Sequence, residues 1–130
     1  MDLKLKESKV VITGASRGIG KSIATAFASE GARLLLVARG QETLEQTKDE
    51  LDQIGSSKVE ILSCDVTKTA APLEILRCAQ DRLAGVDILV NNAGATIRDM
   101  ETEENWRASF ELNTFAPLLV MEALKDELMK

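Results

Sequence analysis

Histidine and tyrosine are both absent from the 130 residues of this sequence. These side chains are among those most often used to transfer protons, histidine because its pKa lies near neutrality and tyrosine because its phenol can act as an acid. Their absence limits the acid–base chemistry that these residues can perform.

Cysteine is scarce, since only Cys64 and Cys78 occur. Their separation fits neither the paired spacing of a zinc site nor a disulfide framework. Free cysteines are usually buried and behave as small apolar residues. We therefore expect two reduced core thiols in a cytoplasmic protein, and no metal site.

Long apolar runs and an excess of basic residues are also missing. No stretch reaches the 18 or so apolar residues of a membrane span, and the charged, alternating start "MDLKLKESK" is unlike a signal peptide. The net charge of -5 argues against nucleic acid or an anionic membrane as a partner. The length and the apolar content suit one globular domain.

What the sequence does contain is a regular alternation of strand and helix patterns. Continuous apolar or β-branched runs predict strands over residues 9–13, 32–38, 58–64 and 86–92. Helical spacing places Ile19, Ile23, Ala26 and Phe27; Leu44, Lys48, Leu51 and Ile54; and Leu73, Leu76, Ala79 and Leu83 on the faces of three helices. A loop, "AGATIRDM", precedes a helical segment over 102–130, in which Pro117 marks a kink or the start of a second helix. This order predicts an α/β fold with a doubly wound parallel sheet.

The loop after the first strand, "TGASRGIG", carries Gly14, Gly18 and Gly20. A strand, a glycine-rich turn and a helix N-terminus together favour a phosphate group, because backbone N–H groups and the helix dipole point at it. An ordinary tight turn would use glycines too. The position after the first strand of a βαβ unit favours dinucleotide binding.

Four motifs in order resemble the short-chain dehydrogenase/reductase family: "TGASRGIG", "CDVT", "NNAG" and Asn113 within "FELNTFAPLL". The likeness covers almost the whole chain and is greatest to 3-oxoacyl-ACP-reductase-type members. It implies a Rossmann fold with strand order 3-2-1-4, truncated before strand five. Residues 1–130 would then be one NAD(P)-binding domain, incomplete at its C-terminus. The implied reaction is hydride transfer between nicotinamide and a carbonyl or alcohol.

Two arginines bear on which dinucleotide is bound. Arg39 ends the second strand where an NAD-binding protein usually has an acidic residue, and Arg17 lies in the glycine loop. Two guanidinium groups suit a 2′-phosphate, which favours NADP over NAD. Both arginines could instead be solvated surface residues.

The resemblance implies a set of cofactor contacts: Gly14, Ser16, Arg17, Gly18, Ile19, Gly20, Arg39, Asp65, Val66, Asn92, Ala93 and Gly94. In this set Asp65 would accept from the adenine amino group, Val66 would flank the ring, and the "NNAG" residues would line the ribose and pyrophosphate. From the residues alone, Asp65 could be a helix cap. Asn91 and Asn92 could brace neighbouring strands, and both roles are compatible.

Asn113 matches the family's catalytic asparagine, which holds a proton-relay water in a kinked helix. The alternative is a polar residue at a helix kink. The family's catalytic tyrosine and its YxxxK pair have no counterpart here, and Ser109 lies on the wrong element to be the catalytic serine. We therefore expect these residues not to reduce a carbonyl by the family's route.

Three interpretations of function follow. The first is the cofactor-binding half of an NADP-dependent oxidoreductase acting on a small carbonyl or alcohol. The second is a non-catalytic dinucleotide-binding module, and the third is a subunit-interaction module. For self-association the candidates are the unprotected edge of strand four and the apolar residues of the last helix, which would otherwise form intramolecular core: Leu118, Leu119, Met121, Leu124 and Leu128.

Overall fold

The computed structural model describes residues 2–56, 58–96, 99 and 101–130. Strands and helices alternate along them: β1 (Lys9–Thr13), α1 (Gly18–Ser29), β2 (Arg33–Ala38), α2 (Gln41–Asp52), β3 (Lys58–Ser63), α3 (Ala71–Leu83), β4 (Ile88–Val90), α4 (Glu103–Phe110), a π-helical turn (Glu111–Phe115) and α5 (Ala116–Leu128). The predicted loop after "NNAG" lies partly outside the described residues, at positions 97, 98 and 100.

The four strands form one parallel sheet in the order β3-β2-β1-β4, as expected. In the register, Val10 of β1 lies beside Leu34 of β2 and Ile88 of β4. Because β1 is central and the chain reverses its winding direction there, the loops after β1 and β4 meet at the carboxyl edge of the sheet. That edge is where doubly wound folds bind their ligands.

Alternate residues of the central strands point into two separate cores. Val10 and Ile12 pack with α1 and α2, whereas Val11 packs with α3 and α5. Strands that are buried on both faces explain the continuous apolar runs of the sequence.

The three predicted helix faces are correct in part: Leu44, Leu51, Ala79 and Leu83 are buried as predicted, whereas Ile19, Leu73 and Ile54 are exposed. The buried residues are Gly20, Ala24 and Ala28 in α1; Leu44, Thr47 and Leu51 in α2; and Ala71, Ile75, Ala79 and Leu83 in α3. Small residues let α1 approach the sheet closely, so the larger Ile19 is left 74% exposed. Ile54 lies beyond the end of α2.

The last predicted helix is two α-helices joined by the π-helical turn. Thr102 caps α4 by accepting from the Asn105 N–H at 3.2 Å. Pro117 is near the start of α5, directly after the π-helical turn. The second interpretation of Pro117, the start of a new segment, is therefore correct.

No helix among the described residues is long and apolar enough to cross a membrane. Within the same residues, His, Cys, Asp and Glu form no group of three or more that could hold a metal ion. Cys64 is buried and Cys78 is half-buried, and both thiols are free.

Candidate functional site

The glycine loop is held tightly against the loop that follows β4. Gly14 has a φ of +64°, and a Cβ atom there would lie 2.9 Å from the Ala93 Cα. At Gly20, a Cβ would lie 2.1 Å from the Gly14 carbonyl oxygen, which is far inside van der Waals contact. These two glycines are therefore required by close backbone packing.

Gly18 has a different role in the same loop. Its φ is +56°, yet no heavy atom of the described residues lies within 4 Å of a Cβ built there. Arg17 precedes it as the N-cap of α1, and no side-chain hydrogen bond caps this helix end. Uncapped N–H groups beside open space form an arrangement suited to a phosphate group.

Thr13 joins the two loops and was not singled out from the sequence. Its buried hydroxyl oxygen accepts from the Asn92 N–H at 3.1 Å and from the Ala93 N–H at 3.0 Å. The Asn92 side chain in turn donates to the Gly14 carbonyl at 3.1 Å. Asn92 thus has a bracing role here. The sequence did contain a signal for Thr13, because it is a polar, β-branched residue at the end of a buried strand.

Arg39 follows β2 at the same edge, and its side chain is exposed. The Ala15 N–H donates to the Val37 carbonyl at 3.3 Å, which ties the glycine loop to the end of β2. The Ser63 hydroxyl donates to the Arg39 carbonyl at 2.8 Å, which ties the same turn to β3. Arg17, also exposed, therefore lies on a loop directly beside the segment that carries Arg39.

Asp65 follows β3 and forms a local turn. Its Oδ1 accepts from the Thr67 hydroxyl at 2.7 Å and from the Thr67 N–H at 3.0 Å. These two bonds are the main reason that the pKa of Asp65 is lowered, with smaller contributions from Lys68 and Arg39. Since α3 begins only at Ala71, the alternative of a cap on that helix is wrong.

Val66, next in the chain, is half-buried and faces a small hollow at the end of the sheet. Thr13 and Ala93 line the same hollow. The segment after β3 therefore meets the loops that follow β1 and β4, with Val66 providing an apolar wall.

Asn113 lies in the middle of the π-helical turn and is fully engaged by its neighbours. Its Oδ1 accepts from the Ala95 N–H at 3.0 Å, and its Nδ2 donates to the Ala95 carbonyl at 2.8 Å. A weaker contact joins Nδ2 to the Ser109 hydroxyl at 3.3 Å. A Cβ added at Gly94 would lie 2.9 Å from Oδ1, so that glycine permits the approach.

The π-helical turn also changes the backbone hydrogen bonding around Asn113. The Ala116 N–H donates to the Glu111 carbonyl, five residues earlier. Pro117 has no N–H, so the Asn113 carbonyl lacks the donor that an α-helix would place four residues later. A carbonyl in this position is available to bind water.

The structure therefore brings the predicted residues to one edge of the sheet, on the segments that follow β1, β2, β3 and β4 and on the turn before α5. Asn91, outside the predicted set, links two of these elements by donating from its side chain to the Pro117 carbonyl at 3.3 Å. Ala95 was also missed, because a backbone partner leaves no residue-type signal in a sequence.

A comparison with protein families matches residues 8–130 to the model described as short chain dehydrogenase. Among curated proteins, an uncharacterized oxidoreductase of Bacillus subtilis (strain 168), YvrD, is 38% identical over 119 residues, which are 89% of this chain and 44% of that protein. The chain spans about half the length of the curated relatives it matches.

Solved structures give the same result. L-sorbose reductase from Gluconobacter frateurii, complexed with NADPH and L-sorbose, has a TM-score of 0.92 and 32% identity, over 98% of this chain and 50% of that one. A 7α-hydroxysteroid dehydrogenase complexed with NADH and 7-oxo glycochenodeoxycholic acid has a TM-score of 0.91 and 31% identity, over 97% and 50%. The greater likeness to 3-oxoacyl reductases stays a prediction.

Proposed function

The chain belongs to the short-chain dehydrogenase family, and from this premise we propose that it is the cofactor-binding half of an NADP-dependent oxidoreductase. The reaction is hydride transfer between the nicotinamide and a carbonyl or alcohol. The observation that carries the proposal is the glycine loop, whose close packing leaves an uncapped helix N-terminus facing open space.

The geometry of the loop supports dinucleotide binding in particular. Gly14 and Gly20 bring the loop against Asn92 and Ala93, so the pyrophosphate would sit between the first βα turn and the loop after β4. At Gly18 a side chain would extend into the open space, where it would compete with the phosphate groups. Ile19, 74% exposed beside it, offers an apolar surface for the bound coenzyme.

Selection of NADP rests on the two arginines. The similar solved structures hold NADPH in one case and NADH in another, so the family alone does not decide. Arg17 and Arg39 are exposed on segments that follow neighbouring strands, and both can reach outward to a 2′-phosphate. Asp65, whose pKa is lowered by its bonds to Thr67, would accept from the adenine amino group on the far side.

Asn113 acts on the other side of the site. Because its side chain is occupied by Ala95, the group available for a proton-relay water is its backbone carbonyl. The side chain positions the loop that the substrate would approach. No tyrosine follows in these residues to protonate the substrate oxygen, so we expect no carbonyl reduction by this chain.

The lack of a tyrosine in these residues favours one alternative function, a non-catalytic dinucleotide-binding module.

We also propose a cytoplasmic location, which is consistent with the free thiols. We further propose that the chain self-associates through α5 or the β4 edge. In α5 the five apolar residues divide: Leu124 and Leu128 pack in the core, whereas Leu118, Leu119 and Met121 are about half-exposed. The exposed three are the candidates for contact with a second copy.

The experiment that tests NADP selection is a titration of NADPH and NADH into the chain and its Arg39→Ala variant. A hydrogen-bonded charge pair contributes about 1.5–3 kcal/mol, so we expect a loss of roughly 10- to 100-fold in NADPH affinity and little change for NADH. Arg77→Ala removes an exposed arginine from α3 and serves as the matched control. Equal affinities for the two coenzymes, unchanged by Arg39→Ala, would contradict the proposal.

A further inference from the structure

Two hydroxyl groups contact the backbone of the segments that carry the two arginines. The Ser63 hydroxyl, at the end of β3, donates to the carbonyl of Arg39 itself at 2.8 Å. The Thr47 hydroxyl, in α2, lies 3.3 Å from the carbonyl of Ser16, the residue before Arg17. Neither residue is expected to touch the coenzyme, and the family motifs include neither.

Thr47 is 1% exposed, and with Thr13 it is one of two buried polar side chains among the described residues. Its single hydroxyl hydrogen is shared, because the Thr43 carbonyl lies nearer, at 2.9 Å. A valine would have the same shape without the cost of burying a hydroxyl. Packing alone therefore gives no reason for threonine at this position, whereas contact with the glycine loop does.

The two contacts complete a chain of links between the arginine segments. Ala15 bonds to Val37, which joins the glycine loop to the end of β2. Lys21 and Glu50 form an ion pair at 2.7 Å, which joins α1 to α2 on the outer surface. Thr47 adds a link inside this interface, next to the N-cap of α1, and Ser63 adds one beneath Arg39.

We propose that Thr47 and Ser63 are positioning residues that hold the backbone of Arg17 and Arg39 so that both guanidinium groups converge on one 2′-phosphate. This inference rests on the proposed binding of NADP. An arginine side chain has many rotamers, so the affinity it gains depends on how well its backbone is fixed beforehand. A coenzyme with a 2′-hydroxyl makes no such contact and is insensitive to both hydroxyls.

The test compares the ratio of NADH to NADPH dissociation constants in Thr47→Val and Ser63→Ala with that of the unchanged chain. Loss of one ordinary hydrogen bond predicts a roughly five-fold fall in this ratio for each variant, with the NADH constant nearly unchanged. Thr47→Ser and Ser63→Thr keep the hydroxyl and should restore the ratio.

Matched controls exist for both positions. Thr25→Val removes a hydroxyl of α1 that bonds to the Lys21 carbonyl within the helix. Ser56→Ala removes a hydroxyl that bonds to the Ala32 carbonyl, at the amino end of β2 and so at the end of the sheet away from the site. We expect neither control to alter the ratio, and Ser63, being exposed, tests the idea even if Thr47→Val does not fold.

The outcomes separate this inference from the proposed function. If the unchanged chain prefers NADPH but Thr47→Val and Ser63→Ala keep its ratio, the positioning role is wrong and NADP binding stands. The same holds if both coenzymes weaken equally, since that shows a general loosening of the fold. If the unchanged chain has no preference for NADPH, both proposals fail.

Discussion

The two outermost strands of the sheet, β3 and β4, differ in the side chains along their outer edges. At the β3 edge, Glu60 contacts Lys58 at 3.5 Å and Arg82 at 3.7 Å. Lys58 also donates to the Arg82 carbonyl, and Arg82 to the Ile61 carbonyl. Charged side chains thus protect the edge from pairing with another strand. At the β4 edge, three apolar residues, Ile88–Val90, are each only half-buried.

The site residues on the β3 side and on the β4 side also differ. On the β3 side, the segments that bear Arg39 and Asp65 are fixed by bonds within the chain. On the β4 side, Asn113 is braced against Ala95, but these residues offer no tyrosine for proton transfer. On the function proposed above, cofactor binding and proton transfer would use different sides of the site.

Gly20→Ala should disrupt the glycine loop and have the largest effect. The added Cβ would lie 2.1 Å from the Gly14 carbonyl, so the backbone of the glycine loop must move. Such overpacking costs about 3 kcal/mol, and we expect a lower unfolding midpoint together with at least roughly 100-fold weaker NADPH binding. Urea unfolding and coenzyme titration measure the two effects.

Gly55→Ala is the control for that variant. Gly55, unlike Gly20, has a positive φ, +122°, and no heavy atom of the described residues lies within 4 Å of its Cβ position; it also lies away from the site. It should lose some stability through backbone strain but keep NADPH affinity. If Gly20→Ala binds NADPH as well as Gly55→Ala does, the close-packing argument is wrong.

The β4 side of the molecule should take part in self-association. We expect light scattering to show a concentration-dependent dimer, because Leu118, Leu119 and Met121 expose apolar surface on α5. Leu119→Glu should weaken dimerisation roughly ten-fold, since a charge would be placed in an apolar contact. Leu73→Glu, on α3 and similarly exposed, should not. A stable monomer at all concentrations would refute the contact.

How much could be predicted from the sequence varied with the physical origin of each feature. Strand order was correct and each strand lies within or at its predicted segment, although β4 is confined to Ile88–Val90, because buried strands and glycine-rich turns leave strong local signals. The helix faces were correct only in part, since Ala24 and Ala28 have little hydrophobicity and yet are buried in the core. Contacts to backbone groups, such as Thr13 with Ala93 or Asn113 with Ala95, depend on proximity in the fold, which cannot be predicted from the type of residue.

The smallest predicted effect concerns Cys64, which follows β3. Burial, with a smaller contribution from the neighbouring Glu74, raises the pKa of its thiol to about 11. The folded state therefore favours the neutral thiol, so its contribution to stability is complete below pH 9 and is lost between about pH 9 and 11. We expect a loss of about 1 kcal/mol over that range in urea unfolding. In Cys64→Ala the fall in the free energy of unfolding over the same pH range should be smaller by that amount. An equal fall in the variant and in the unchanged chain would show that the thiol ionises freely.

The most direct test follows NADPH fluorescence in a single sample that contains the purified chain, NADPH and one of the carbonyl compounds held by the two similar solved structures, L-sorbose or 7-oxo glycochenodeoxycholic acid. We predict that the fluorescence changes when NADPH binds and then stays constant, because the proposed coenzyme site supplies no tyrosine to protonate the carbonyl. A steady decay that depends on the carbonyl would contradict the separation of binding from chemistry. The absence of any initial change would contradict the binding itself.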